Sequence, residues 1–122
     1  MGRNLSELGL TPSGSPQMVL VGSETCPTCI EAVKYFVSRP DLPLRMTFLD
    51  RIPTMAGQRG ELVPRHGLID STPTFLSVDS EGVVTDEIKG WTNGMGTEIE
   101  HRIQALQAAG QAVELTQKET QP

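Results

Sequence analysis

Gly22-Ser-Glu-Thr-Cys-Pro-Thr-Cys-Ile-Glu-Ala-Val33 decides how this 122-residue chain is read, because it holds both of its cysteines, Cys26 and Cys29. A short, mostly apolar run, Gln17 to Val21, ends just before it, as suits a strand buried on both faces. Thr28 to Ser38 follows as a predicted helix. Ile30, Val33 and Val37 stack on one face with Phe36 beside them, while Glu31 and Lys34 lie away from that stripe. Arg39-Pro-Asp-Leu-Pro43 stops it, since proline cannot continue a helix. Two thiols one helical turn apart can close a small disulfide ring, or open to a dithiol, with little backbone movement. Beside a βαβ pattern, that spacing reads as a redox motif.

The attacking species in disulfide exchange is the thiolate, so the first cysteine must lose its proton near neutral pH. At a helix N-terminus the unpaired N–H groups and the macrodipole favour negative charge. Such a site takes a thiol from its free pKa of about 8.5 into the range of roughly 3.5 to 7.5. Cys26 is expected at the cap, with Pro27 at the first helical position, where its missing N–H is no loss. Cys29, a turn further in, suits the resolving role, and Thr28 adds a hydroxyl near the sulfurs. Glu24 and Glu31 oppose this, because nearby carboxylates raise a thiol's pKa. Two other readings of the pair stay open. Tetrahedral zinc wants four ligands, and the remaining candidates, His66 and His101, lack ligand-like spacing. A purely structural disulfide closing so short a loop would constrain the unfolded chain little.

The length is that of one domain with a modest core. Hydrophobic residues are 37% and charged residues 20%, and the net charge is −5. With no basic stripe, nucleic acid and anionic membrane surfaces are poor partners. The longest apolar stretch, Met18 to Val21, is far too short to span a bilayer. Residues 1–16 contain no apolar leader core. The expectation is therefore a cytoplasmic protein, or a periplasmic one whose export leader has been trimmed. A redox-active pair is compatible with either compartment.

Residues 1–16 read as a flexible, Ser/Gly/Pro-rich segment with a short, loosely attached helix after Asn4. Leu44 to Asp50 reads as a second parallel strand, and a short helix is predicted over Glu61 to His66, ended by Gly67. Ser71 to Val78 is a strand opened by Pro73. Asp79-Ser-Glu-Gly82 signals a hairpin into Val83 to Lys89, antiparallel because the connection is short. Thr97 and Glu100 form a capping-box pattern for a last helix with Ile99, Ile103 and Leu106 buried, ending at Gly110. The expected division is a segment 1–16, an α/β domain 17–110 and a polar tail 111–122. The domain is a βαβ unit followed by α-ββ-α, its central mixed sheet flanked by helices on both faces. In such sheets the reaction site lies at the strands' carboxyl ends, where Cys26 falls.

That order resembles the thioredoxin superfamily over residues 17–109. The likeness is carried by the C-x-x-C closing the first strand, Thr72-Pro73 opening the third, and Gly90 after the hairpin. The run from Val63 through His66, Gly67, Thr72, Pro73, Phe75 and Leu76 to Gly82 looks particularly like the matching thioredoxin segment. The resemblance implies a thiol–disulfide oxidoreductase with Cys26 and Cys29 catalytic, and with no separate cofactor. It implies a cis bond after Thr72 and a strand end where the Thr72 backbone pairs with an extended substrate segment. Pro27, Thr28, Pro73, Gly90 and Trp91 are the other expected substrate contacts. For Trp91 the alternative is a ring half-buried in the core. The implied partners are protein disulfides or dithiols and an electron donor or acceptor protein, acting on a monomer.

Departures from the pattern matter. Thioredoxins carry Trp-Cys-Gly-Pro-Cys, whereas this chain has Thr25-Cys-Pro-Thr-Cys, and Leu20 stands where thioredoxins bury an acid. Proline after the first cysteine looks more like glutaredoxins and some periplasmic thiol oxidoreductases. Trp91-Thr-Asn-Gly94 replaces the glutathione-binding residues that a glutaredoxin would show. The expectation is a divergent thioredoxin-like protein, of a kind that includes small periplasmic thioredoxins. The alternatives are a glutaredoxin-like protein, a metal or iron–sulfur module using Cys26, and an interaction domain with a structural disulfide.

Overall fold

Gln17–Gly22 (β1) is the middle strand of a mixed five-stranded sheet in the computed structural model, which describes residues 4–65, 67, 69–92 and 94–119. The other elements are α1 (Pro27–Val37), β2 (Leu44–Phe48), β3 (Gly60–Leu62), β4 (Thr74–Val78), β5 (Val84–Lys89) and α2 (Met95–Glu119). Short 3-10 helices cover Leu5–Leu8 and Thr54–Arg59. The sheet order is β3-β2-β1-β4-β5. β2 runs parallel to β1, Met18 facing Leu44 and Gly22 facing Phe48, and β4 is antiparallel to β1. The predicted βαβ unit and hairpin are both present. The carboxyl ends of β1 and β2 lie side by side, and Leu49 N–H reaches across to Gly22 O at 2.9 Å.

The two sheet faces are covered differently. Met18, Leu20, Met46, Phe48 and Phe75 point to the face that carries both α-helices, against Val33 and Phe36 of α1 and Ile99 and Ile103 of α2. Val19, Val21, Leu76 and Val78 alternate to the other face, as a two-residue period requires. There they meet Leu5, Leu8, Leu10 and Val63. Leu5 N–H also bonds Gly82 O at 2.9 Å, and Asn4 caps the 3-10 turn through its side chain. Residues 5–10 are thus packed rather than loosely attached, because three leucines at near-helical spacing have an apolar face waiting for them.

Three further expectations are corrected. No helix forms over 61–65 (His66 itself lies outside the described residues); Gly60–Leu62 instead pairs in parallel with β2. Arg45 fixes this edge strand by gripping Glu61 with two bonds of 2.8 and 2.9 Å. Gly110 does not end the last helix, which runs to Glu119. A single glycine costs only about 1 kcal/mol there, and its missing side chain leaves room for Pro16, 3.4 Å from where a Cβ would stand. Thr97 and Glu100 are not a capping box, since α2 already starts at Met95. Glu100 turns to α1 instead, accepting a hydrogen bond from Tyr35 Oη at 2.5 Å and pairing with Arg39 at 3.4 Å. Gly96 permits that approach: a Cβ there would run into the Tyr35 ring.

Candidate functional site

Cys26 ends the loop after β1 in an extended conformation (φ −94°, ψ 113°) and caps α1, with Pro27 in the first turn. Its Sγ accepts the Cys29 backbone N–H at 3.3 Å, one of the donors that a helix start leaves unpaired. Cys26 O accepts the first intrahelical bond, from Ile30 N–H at 3.1 Å. The Thr28 hydroxyl lies 3.3 Å from the same sulfur, and Thr72 O accepts from it at 3.7 Å. Cys26 is partly exposed, whereas Cys29 is fully buried, and both are free thiols.

These surroundings separate the two thiols. For Cys26 the largest single influence is partial burial, which raises the pKa. Hydrogen bonds from the Cys29 thiol, the Thr28 hydroxyl, the Cys29 backbone N–H and Thr72 together outweigh it, and the net result lies below the ordinary thiol value. For Cys29, burial and then the hydrogen bond with Cys26 push the thiol up to about 11. One thiol is thus eased toward its anion at the rim, and its neighbour is held protonated beneath it. This is the division of labour an attacking and a resolving thiol require.

Thr72 and Pro73 stand beside the cysteines, and the peptide bond between them is cis. Gly90, at φ +92°, donates its N–H to Pro73 O at 2.8 Å, which ties the end of β5 to the Thr72–Pro73 corner. Pro27 and Thr28 are exposed at the helix start. Trp91 is half-buried. Its ring packs on the core, with centroids 5.5 Å from Tyr35, 5.9 Å from Phe36 and 6.0 Å from Phe75. The groove of about 550 Å³ that Trp91 borders runs past Lys34, Tyr35 and Arg39, along the side of α1 away from its first turn. His101 is exposed, as its place on α2 implied. Leu20, where an acid was absent by comparison, is fully buried in the main core.

Asp50, just beyond β2, is a participant that motif reading missed. Its carboxylate accepts from Ser23 Oγ at 2.7 Å, from Glu24 N–H at 3.0 Å and from its neighbour Arg51 N–H at 2.8 Å. The Glu24 N–H bond first, then the Ser23 hydroxyl, hold its pKa down to about 2. Ser23 in turn accepts the Thr25 N–H at 3.2 Å, and its carbonyl accepts Cys26 N–H at 3.2 Å. The only trace of this in the sequence is an acid at the carboxyl end of one parallel strand beside the cysteine loop of the next.

No known family model and no curated protein matches the sequence. Solved structures do match in shape. StoA from Bacillus subtilis aligns with 72% of this chain and 81% of its own, at TM-score 0.55 and 14% identity. The pneumococcal exposed lipoprotein thioredoxin Etrx1 from Streptococcus pneumoniae aligns over 84% and 90%, at 0.55 and 15%. This is a thioredoxin-like fold. A secreted Mycobacterium tuberculosis disulfide oxidoreductase, described as homologous to DsbE, shares it over 86% of this chain and 94% of that one, at 0.53 and 16%. Among the described residues, no helix is long and apolar enough to cross a membrane, and no three His, Cys, Asp or Glu side chains are grouped to hold a metal.

Proposed function

We propose that this chain is a protein dithiol–disulfide oxidoreductase. The observation that carries the reading is the Cys26 sulfur: partly exposed, capping a helix, bonded to Cys29 N–H at 3.3 Å and beside the Thr72 carbonyl. In the reducing direction the Cys26 thiolate attacks one sulfur of a substrate disulfide. A Cys26–substrate bond forms, and the other substrate sulfur leaves as a thiolate and takes a proton from solvent. Cys29 then loses its proton and attacks Cys26 Sγ. The Cys26–Cys29 bond forms, the second substrate thiolate is released, and two electrons have passed from dithiol to substrate. Oxidation of a substrate is the same sequence reversed. Thr72, Pro73, Pro27 and Thr28 border the sulfur and are the surfaces an extended substrate segment would meet. A second protein restores the dithiol or the disulfide; the thiols themselves need no further cofactor. The extracytoplasmic option is supported by fold neighbours described as a secreted oxidoreductase and an exposed lipoprotein.

Insulin reduction with dithiothreitol tests this. The wild type is expected to accelerate precipitation, Cys26→Ser to fall to the uncatalysed rate, and Cys29→Ser to accumulate a mixed disulfide visible by mass. Equal rates for wild type and Cys26→Ser would end the proposal.

A further inference from the structure

We infer that Asp50 is a positioning residue for the resolving thiol, acting through the loop that joins β1 to α1. The inference rests on the exchange chemistry proposed above. Cys29 must become a thiolate within the buried site to release the substrate, and no acid lies beneath it on β1, where Leu20 is buried. What faces the Cys29 sulfur is backbone, with Cys26 and the Thr72 side chain beside it. A Cβ on Gly22 would stand 3.4 Å from Cys29 Sγ, and the Ser23 backbone hydrogen-bonds that sulfur in the sense that favours its ionised form. An N–H donor aimed at a developing anion helps only if it is held in place. Asp50 holds it: the carboxylate takes the Ser23 hydroxyl at 2.7 Å and the Glu24 N–H at 3.0 Å, fixing the loop on both sides of the Ser23–Glu24 peptide bond. Leu49 N–H to Gly22 O at 2.9 Å secures the residue before. A side chain at the end of β2 therefore fixes the donor that lowers the cost of ionising Cys29, without touching either sulfur.

In the resolving step the Cys29 thiolate attacks Cys26 Sγ of the mixed disulfide, and the substrate sulfur leaves with the bonding pair. The proton lost by Cys29 passes to solvent. Loosening the loop slows this step.

The test uses Cys29 as the sole thiol, in Cys26→Ser protein, and follows its alkylation by iodoacetamide against pH. Asp50→Ala is expected to raise the midpoint by about half a unit to one unit, slowing modification at fixed pH about three- to tenfold. Ser23→Ala, which removes one of the two loop contacts, shifts it the same way by less and carries the test if Asp50→Ala does not fold. With both cysteines present, Asp50→Ala accumulates mixed disulfide. The direction separates geometry from charge, since removing a bare negative charge would lower the midpoint. An unchanged or lowered midpoint in variants with wild-type melting curves overturns the inference. An insulin assay in which wild type equals Cys26→Ser would instead overturn the exchange reading beneath it.

Discussion

Helix α1 meets polar groups at its first turn and aromatic rings further along, and the two ends are held by different physics. At the start, Cys26 Sγ is surrounded by an N–H, a hydroxyl and a carbonyl, all within 3.7 Å, and is left partly open to solvent. Further along, Phe36 is fully buried against Phe75 and Trp91, and Tyr35 lies edge-on to Phe36 at 5.0 Å. Arg39 stacks over the Tyr35 ring at 3.7 Å and pairs with Glu100 of α2. Directional contacts set the charge on one sulfur, whereas apolar burial sets where the whole helix sits. A redox-active thiol needs both, because a hydrogen bond a few tenths of an ångström too long stabilises no anion.

Substitutions can break this contrast. Phe36→Ala is expected to have the largest effect, about 3–5 kcal/mol of stability lost by urea unfolding. In conditions where the variant remains folded, its Cys26 alkylation rate should match the wild type. A matching loss of thiol reactivity would mean that the two ends are coupled. Thr28→Val acts at the other end. Cys26 lies below the ordinary thiol value, so its reactivity rises with pH and levels off at lower pH than a free thiol's. Removing the hydroxyl should move that midpoint upward by about half a unit to one unit, with little change in melting temperature. An unmoved midpoint would take Thr28 out of the site. Tyr35→Phe is the mildest, about 1 kcal/mol or less for one half-exposed hydrogen bond to Glu100, read by unfolding with thiol reactivity constant.

The sequence made the first end of α1 legible and the second only in part. Cys26, Pro27 and much of the apolar stripe are local signals, so the cap, the proline in the first turn and a helix over Thr28 to Ser38, one residue off the observed Pro27–Val37, could be read along the chain, although Ala32 and Phe36 are buried where Ile30 and Val37 are only partly so. The helix predicted over 61–66 ignored a local signal that was present. Pro64 follows Val63, and the residue before a proline is pushed toward extended backbone. Thr97 and Glu100 fit a capping pattern, but Glu100 has a partner on α1, 65 residues away in sequence. Asp50 was missed for the same reason, its loop contacts being 26 and 27 residues distant. Trp91 packs against three rings that no local pattern around it announced. Periodicity reveals which face is apolar, but it does not reveal which polar side chain crosses to another element.

A chain leaving the ribosome presents Leu5, Leu8 and Leu10 well before β4, one of the strands that receives them, has been made. At about 5–20 residues per second, several seconds pass between the making of those side chains and the making of that strand. The far sheet face can therefore close only after β4 has been made.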